Sequence, residues 1–166
     1  HETPPTTWLG ARSDAMVSVR SGFTHIEFAI RPEADALAVD AYLRALEPVP
    51  SPYLVDGKLS PAGERGKKLF AERSCASCHP APLFTDMRTY ELGTTTGPDV
   101  GRPVDTPSLV ETWRNGPYLH DGRAATIREV LTKNGHGKIL KTTAGLTDAQ
   151  IQDLETYILS IPVESR

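Results

Sequence analysis

The apolar positions along the chain predict helices separated by loops. From Glu33 to Leu46, apolar residues recur at three- and four-residue spacing, and the closely spaced prolines that follow end this helix. A further helix begins at Ser60-Pro61, because serine caps a helix N-terminus and proline suits the first helical position. Its apolar stripe leads into Cys75. Little of the chain alternates as a strand does, so we expect an all-α fold.

Two capping boxes predict the helices of the C-terminal third. In a capping box, the N-cap hydroxyl and the side chain three residues later each accept a hydrogen bond from the other residue's backbone N–H. Thr126 and Glu129 open a short helix through Leu131, and Thr147 and Gln150 open the last helix. The predicted buried face of the last helix consists of Ile151, Leu154, Tyr157, Ile158 and Ile161.

The stretch from Pro80 to Thr106 has no helical or strand periodicity. It contains several glycines and prolines, among them the run from Gly93 to Pro98. A loop of that length in a compact domain usually wraps around something.

The motif just before this loop indicates what the loop wraps around. Both cysteines of the chain, Cys75 and Cys78, precede His79 in the C-x-x-C-H pattern of covalent haem attachment. Thiols three positions apart on a short helical segment can both add to the vinyl groups on one porphyrin edge, and His79 then binds the iron. A redox dithiol, half of a zinc site and a local disulfide are the alternatives. The motif lacks a surrounding βαβ pattern and a second cysteine pair, and the alternatives do not require His79.

The composition limits the size, the binding partners and the location that we expect for this protein. With 166 residues, 39% of them apolar, the chain can bury one core or one domain plus part of another. A net charge of −3 gives no electrostatic reason to expect binding to nucleic acid or an acidic membrane surface. No apolar run reaches the roughly 18 residues of a membrane span, and no signal peptide is visible.

We interpret His1 as a processed or trimmed end. Because haem c is attached outside the bacterial cytoplasm, we expect a periplasmic or extracellular protein.

The chain also repeats itself. Trp8-Leu9-Gly10 and the stretch Ser13 to Val19 resemble His120-Asp121-Gly122 and the stretch Ala125 to Leu131, and a helix with a central tyrosine follows each. Residues 1–50 are therefore predicted to be a helical remnant resembling the back half of a haem domain. We expect a linker at 51–59 and a cytochrome c domain at 60–166.

Several motifs together resemble the bacterial di-haem cytochrome c peroxidase and MauG superfamily, and most closely the C-terminal haem domain of its large secreted cytochromes. They are Gly66-x-x-Leu69-Phe70, Cys75 to His79, Leu83 to Asp86, Asp105 to Leu109, and Pro117 to Arg123. The resemblance implies a cytochrome c-like fold with long loops around a covalent haem. Such proteins carry two haems, one for electron entry and one where an oxidant reacts, whereas this chain has one attachment site.

The second axial ligand decides the chemistry of such an iron. A thioether raises its potential, a second imidazole lowers it, and an empty position permits catalysis. The resemblance places a methionine where this chain has Asn134, and the nearest side chain able to coordinate is His136. Met87 and His120 are the main alternatives. Met16, His25 and water remain open as well.

The sequence-based hypothesis is therefore a c-type cytochrome that transfers single electrons through one haem c. Cys75, Cys78 and His79 attach the haem, Arg102 and Arg123 are candidate partners for its propionates, and no catalytic residue is assigned. The expected partner is a redox protein or an adjacent haem domain. One half of a di-haem peroxidase or oxidase is the first alternative, and a haem-based sensory or structural module is the second.

Overall fold

The computed structural model describes residues 3–133 and 136–163. Its α-helices are α1 (Ala15–His25), α2 (Glu33–Ala45), α3 (Pro61–Glu72), α4 (Ile127–Thr132), α5 (His136–Ile139) and α6 (Asp148–Leu159). Strands β1 (Thr89–Tyr90) and β2 (Val104–Asp105) form an antiparallel pair, and 3-10 turns lie at Cys75–Ser77, Gly97–Asp99 and Thr112–Arg114. The all-α prediction is confirmed, with one two-stranded ribbon inside the long loop.

The core lies where α3 crosses α6. All five residues of the face predicted for α6 are buried, and Leu154 is fully enclosed. The edge of Phe70 packs against the ring of Tyr157, with ring centres 5.3 Å apart. Gly66 permits the crossing, because a Cβ atom at this position would lie 2.0 Å from the carbonyl oxygen of Asp153. At the side of the same crossing, the guanidinium of Arg65 donates two 2.7 Å hydrogen bonds to the Asp153 carboxylate.

The two predicted capping boxes differ in completeness. At α6, the Thr147 hydroxyl accepts the Gln150 N–H while the Gln150 side chain accepts the Thr147 N–H. At α4, Thr126 accepts the N–H of Glu129, but the carboxylate of Glu129 accepts the N–H of Ala125 instead. Each helix starts immediately after its predicted N-cap.

The N-terminal helices α1 and α2 form a hairpin with a largely exposed apolar surface. Arg20 holds the hairpin together, because its guanidinium pairs with Glu33 and donates a 2.9 Å hydrogen bond to the buried Asp40. Among the apolar side chains of α2, only that of Ala36 is buried. We call the exposed apolar side chains of the hairpin its apolar face; they are Val17, Ile26, Phe28, Ile30, Leu37, Tyr42 and Leu46.

The internal repeat has a geometric counterpart. Each copy has an isolated antiparallel bridge that encloses a turn with a left-handed glycine, and each bridge is followed at the same spacing by the N-cap of a helix. The matching features are the bridges Thr6↔Arg12 and Tyr118↔Ala124, the glycines Gly10 and Gly122, and the N-caps Asp14 and Thr126. Gly10 and Gly122 have φ angles of 59° and 71°, a region that glycine enters without steric cost.

The segment predicted as a linker is fastened to the end of α6. The Ser51 hydroxyl donates to the carbonyl of Leu159 over 2.5 Å, and the Ser160 hydroxyl donates to the carbonyl of Tyr53 over 3.4 Å. Ser51 is itself buried. This connection therefore packs against the end of α6.

Candidate haem site

The cysteine motif folds as one tight turn. Cys75–Ser77 is a 3-10 turn, and the N–H of His79 donates to the carbonyl of Cys75 over 3.0 Å. Both thiols are free and partly exposed on this turn. Burial raises the pKa of Cys75 to about 11, so its thiol stays protonated at neutral pH, unlike the thiolate of a redox dithiol. Among residues 3–133 and 136–163, no cluster of three potential metal ligands is present.

The imidazole of His79 is buried and oriented by the loop that follows it. The side chain is 7% exposed, and its Nδ1 lies 2.9 Å from the carbonyl oxygen of Phe84. A carbonyl can only accept, so Nδ1 carries the proton and Nε2 keeps the lone pair that binds metals. The Phe84 carbonyl is therefore part of the site, although no sequence signal pointed to it.

The loop over residues 80–106 is held against the motif by hydrogen bonds. The N–H of Asp86 donates to the carbonyl of Cys78 over 2.8 Å, and the hydroxyl of Thr85 donates to the carbonyl of Thr106 over 2.6 Å. The strands β1 and β2 pair just beyond these contacts. The loop thus holds the turn that carries His79 in place.

His136 lies opposite His79. The centres of the two imidazole rings are 6.2 Å apart, with 72° between the ring planes. His136 is the first residue of α5, and Gly137 lets that helix approach α4, because a Cβ atom there would lie 2.5 Å from the Leu131 carbonyl oxygen.

Burial keeps both rings neutral. Burial, with a smaller contribution from the repulsion that a protonated His79 would exert, lowers the pKa of His136 to about 4. Burial also lowers the pKa of His79, although the Phe84 carbonyl opposes this effect. A histidine must be neutral to bind a metal, so both side chains are in the required state at pH 7.

This arrangement fits an iron held between the two rings. An imidazole nitrogen binds a first-row metal at about 2 Å and lies about 1 Å from its ring centre, so two rings on opposite sides of one ion have centres about 6 Å apart. The separation of 6.2 Å between His79 and His136 matches this value. The free thiols of Cys75 and Cys78 lie on the same turn as His79, as covalent haem attachment requires.

The other predicted iron ligands lie elsewhere. Met87 is 43% exposed, in a left-handed conformation in the turn after Thr85. His120 lies in the turn closed by the Tyr118↔Ala124 bridge, and the adjacent Asp121 pairs with Arg123. Asn134 lies outside the described residues.

The two arginines predicted to bind propionates differ in their surroundings. Arg102 is exposed and pairs with Asp99 over 2.9 Å. Arg123 donates to Asp121 and to the Thr96 hydroxyl, and it also contacts the carbonyl of Thr94. Arg123 therefore fixes the loop around Thr94–Thr96, and the assignment of both arginines to propionates stays a prediction.

A half-buried carboxylate, that of Asp105, lies within the loop over residues 80–106. Asp105 is on β2, and its Oδ1 is buried without a hydrogen-bond partner among the described residues. Burial raises its pKa from 3.8 to about 6, with a smaller contribution from the negative charge of Asp86. Removal from water favours the protonated form of a carboxylate, although a hydrogen bond from the Thr106 backbone opposes this effect.

We expect Asp105→Asn to gain stability relative to the wild type as the pH rises. The folded-state pKa of Asp105 lies above its ordinary value of 3.8, so its stabilising contribution is present below that value and is lost as the pH rises through about 6. Asparagine has no charge to bury at either pH. Urea unfolding midpoints at about pH 4.5 and about pH 7.5 measure the difference, and a difference that does not change with pH would contradict this explanation.

The chain matches the cytochrome c family model over residues 63–162. It is 28% identical to the hydrazine synthase subunit gamma of Kuenenia stuttgartiensis, over 75% of this chain and 48% of that protein. It is also 28% identical to the cytochrome-c peroxidase IdrP1 of Denitromonas iodatirespirans, over 60% of this chain and 40% of that protein. The chain thus spans about half the length, or less, of these curated relatives.

Structural similarity extends over nearly the whole chain. A MauG-like protein associated with microbial copper homeostasis superposes with a TM-score of 0.72 at 18% identity, covering 97% of this chain and 70% of that structure. Within the described part of the chain, no helix is long and apolar enough to cross a membrane. The family match spans more than half of the chain and includes Cys75, Cys78, His79 and His136. The chain therefore belongs to the cytochrome c family, and its relatives are those of the di-haem peroxidase and MauG superfamily.

Proposed function

We propose that the chain is a single-electron carrier with one haem c, attached through Cys75 and Cys78 and bound axially by His79 and His136. The observation that carries this proposal is the 6.2 Å separation of two neutral imidazole rings, that of His79 buried and that of His136 half-buried, next to two free thiols. When bound, the haem supplies a ferric–ferrous couple, and the second imidazole favours a lower potential than a thioether would.

Residues of this chain would hold the haem and keep oxidants away from its iron. The Phe84 carbonyl fixes the tautomer of His79, while Phe84 itself packs in the core with its ring centre 6.2 Å from that of Phe70. With the haem bound, His136 would fill the position on the iron where an oxidant could otherwise bind. A six-coordinate iron of this kind transfers electrons and does not react with peroxide.

The holoprotein tests this function directly. We expect one haem per chain by pyridine haemochrome assay, a reversible redox titration that fits one electron, and no spectral change when peroxide is mixed with the ferric protein. A ferric protein that reacts with peroxide in its resting state would contradict the electron-carrier proposal.

A second candidate function is one half of a di-haem peroxidase or oxidase. The repeated bridge-and-helix unit of residues 6–25 and the exposed apolar face of the α1–α2 hairpin favour it. Ile26, Phe28 and Ile30 are 78%, 87% and 99% exposed. In this case residues 1–50 belong to an adjacent haem domain that covers this face, and electrons pass between the two haems.

The two candidates assign different roles to the same haem. In the electron carrier, the haem exchanges electrons with a separate redox protein; in the di-haem enzyme, it feeds a second, reactive haem. A periplasmic or extracellular location suits both, because c-type haem is attached outside the bacterial cytoplasm. Peroxide turnover that requires added protein carrying a second haem would favour the enzyme.

A further inference from the structure

Two three-residue segments of the chain, 83–85 and 106–108, meet beside His79. The middle residue of the first segment is Phe84, whose carbonyl accepts a hydrogen bond from the His79 ring. The middle residue of the second segment is Pro107, whose backbone also interacts with this ring. Proline has no backbone N–H, so the interacting group of Pro107 is its carbonyl. The imidazole therefore faces one backbone carbonyl from each segment.

Two side-chain hydroxyls connect these segments in opposite directions. The hydroxyl of Thr85 donates to the carbonyl of Thr106, and the hydroxyl of Ser108 donates to the carbonyl of Leu83, both over 2.6 Å. Thr85 is buried and Ser108 is half-buried. In each segment, the middle residue lies between two residues that form these bonds. We call the hydrogen bonds made by Thr85 and Ser108 the hydroxyl clamp.

The backbone of the first segment requires such a constraint because its conformation is uncommon. Phe84 and Met87 have φ angles of 52° and 57°, in the left-handed region that side chains other than that of glycine rarely enter. Strained residues of this kind persist where surrounding contacts hold them. The Thr85 hydroxyl provides one more such contact, because it also accepts the N–H of Met87 over 3.0 Å. Without this hydroxyl, the Phe84 backbone could relax and its carbonyl would move away from His79.

The hydrogen bonding of a proximal imidazole affects the iron that it binds. A carbonyl that accepts a hydrogen bond from Nδ1 makes Nε2 a more basic ligand. A more basic ligand stabilises ferric iron relative to ferrous iron, so the reduction potential falls. Moving the carbonyls away from the ring would therefore raise the potential.

We propose that the hydroxyl clamp holds the two carbonyls against His79 and thereby lowers the reduction potential of the iron bound there. Thr85 and Ser108 are positioning residues, because they act through the carbonyls of their neighbours. The effect on the potential rests on the proposed electron-transfer function. The constraint on the two carbonyls does not.

Potentiometric titration of the holoprotein tests this role. Thr85→Val removes the hydroxyl and keeps the shape of the side chain. At a fixed ambient potential, the ratio of ferrous to ferric protein should rise about 3- to 10-fold in this variant, as expected when one hydrogen bond weakens. This change corresponds to a midpoint potential about 30–60 mV more positive. Thr85→Ser keeps the hydroxyl and should retain the wild-type potential.

The His79 ring provides a second readout. In the diamagnetic ferrous holoprotein, NMR with 15N-labelled histidine detects the proton on Nδ1, whose resonance should move upfield in Thr85→Val as the hydrogen bond lengthens. Ser108→Ala should change the potential and this resonance in the same directions. If Thr85→Val does not yield folded holoprotein, Ser108→Ala decides the outcome.

The matched control is a threonine hydroxyl outside both segments. On α6, the hydroxyl of Thr156 donates to the carbonyl of Gln152 over 2.7 Å, and Thr156→Val should leave both readouts unchanged. An unchanged potential or an unchanged resonance in the clamp variants would overturn the proposal, and so would an equal change in Thr85→Ser. A wild type without a reversible one-electron couple would contradict the electron-transfer function instead.

Discussion

Replacing His136 with alanine should convert the ferric protein from low-spin to high-spin. If His136 is the second axial ligand, its removal leaves the iron with His79 alone and a position open to water. Both the optical spectrum and the EPR spectrum should show complete conversion to the high-spin form. Among the described residues, no other histidine ring contacts that of His79 and could replace His136. The variant should also gain reactivity toward peroxide.

Rescue and a control variant separate ligation from a structural role. Added imidazole should restore the low-spin spectrum of His136→Ala, because the freed space accepts a ring of the same size. His120→Ala should remain low-spin, since His120 lies in the separate turn closed by the Tyr118↔Ala124 bridge. A low-spin spectrum in His136→Ala would mean that another residue, such as Met87, is the ligand.

Gly66→Ala should cause a large loss of stability. Its Cβ would lie 2.0 Å from the Asp153 carbonyl oxygen and 2.7 Å from the Cβ of Tyr157, where α3 crosses α6. Backbone atoms cannot rotate away as a flexible side chain can, so the helices must separate. We expect a cost of at least about 3 kcal/mol, which thermal unfolding followed by circular dichroism would detect.

The matched control is the same substitution in another helix. At Gly22 in α1, nothing lies within 4 Å of an added Cβ. There Gly22→Ala should stabilise its helix by about 0.5–1 kcal/mol, because alanine has the higher helix propensity. If both variants were equally stable, the close helix crossing would be wrong.

Local sequence signals predicted α2, α3, α4 and α6, but not α1 and α5. Ser60, Thr126 and Thr147 each cap a helix that begins at the following residue, because capping depends on neighbours in sequence. The buried face of α6 was equally predictable from its spacing. The ribbon β1–β2 was missed because two-residue strands are too short to alternate detectably.

Features that depend on tertiary contacts were harder to predict from the sequence. The apolar stripe of α2 gives the correct helix, but it does not reveal that Tyr42 and Leu46 are exposed. Similarly, no sequence signal shows that Asp105 and Trp113 each have a polar atom without a partner among the described residues, which becomes visible when the chain is folded. His136 was a candidate by its chemistry and its position between glycines, whereas its distance from His79 required the three-dimensional structure.

The low-temperature EPR spectrum of the ferric holoprotein tests the axial pair most directly. The planes of His79 and His136 are 72° apart, and nearly perpendicular imidazoles leave two iron d orbitals close in energy. We therefore predict a highly anisotropic low-spin signal with one large g value, which is lost in His136→Ala. An ordinary rhombic low-spin signal, a thioether-type spectrum or a high-spin signal in the wild type would contradict the His79–His136 pair.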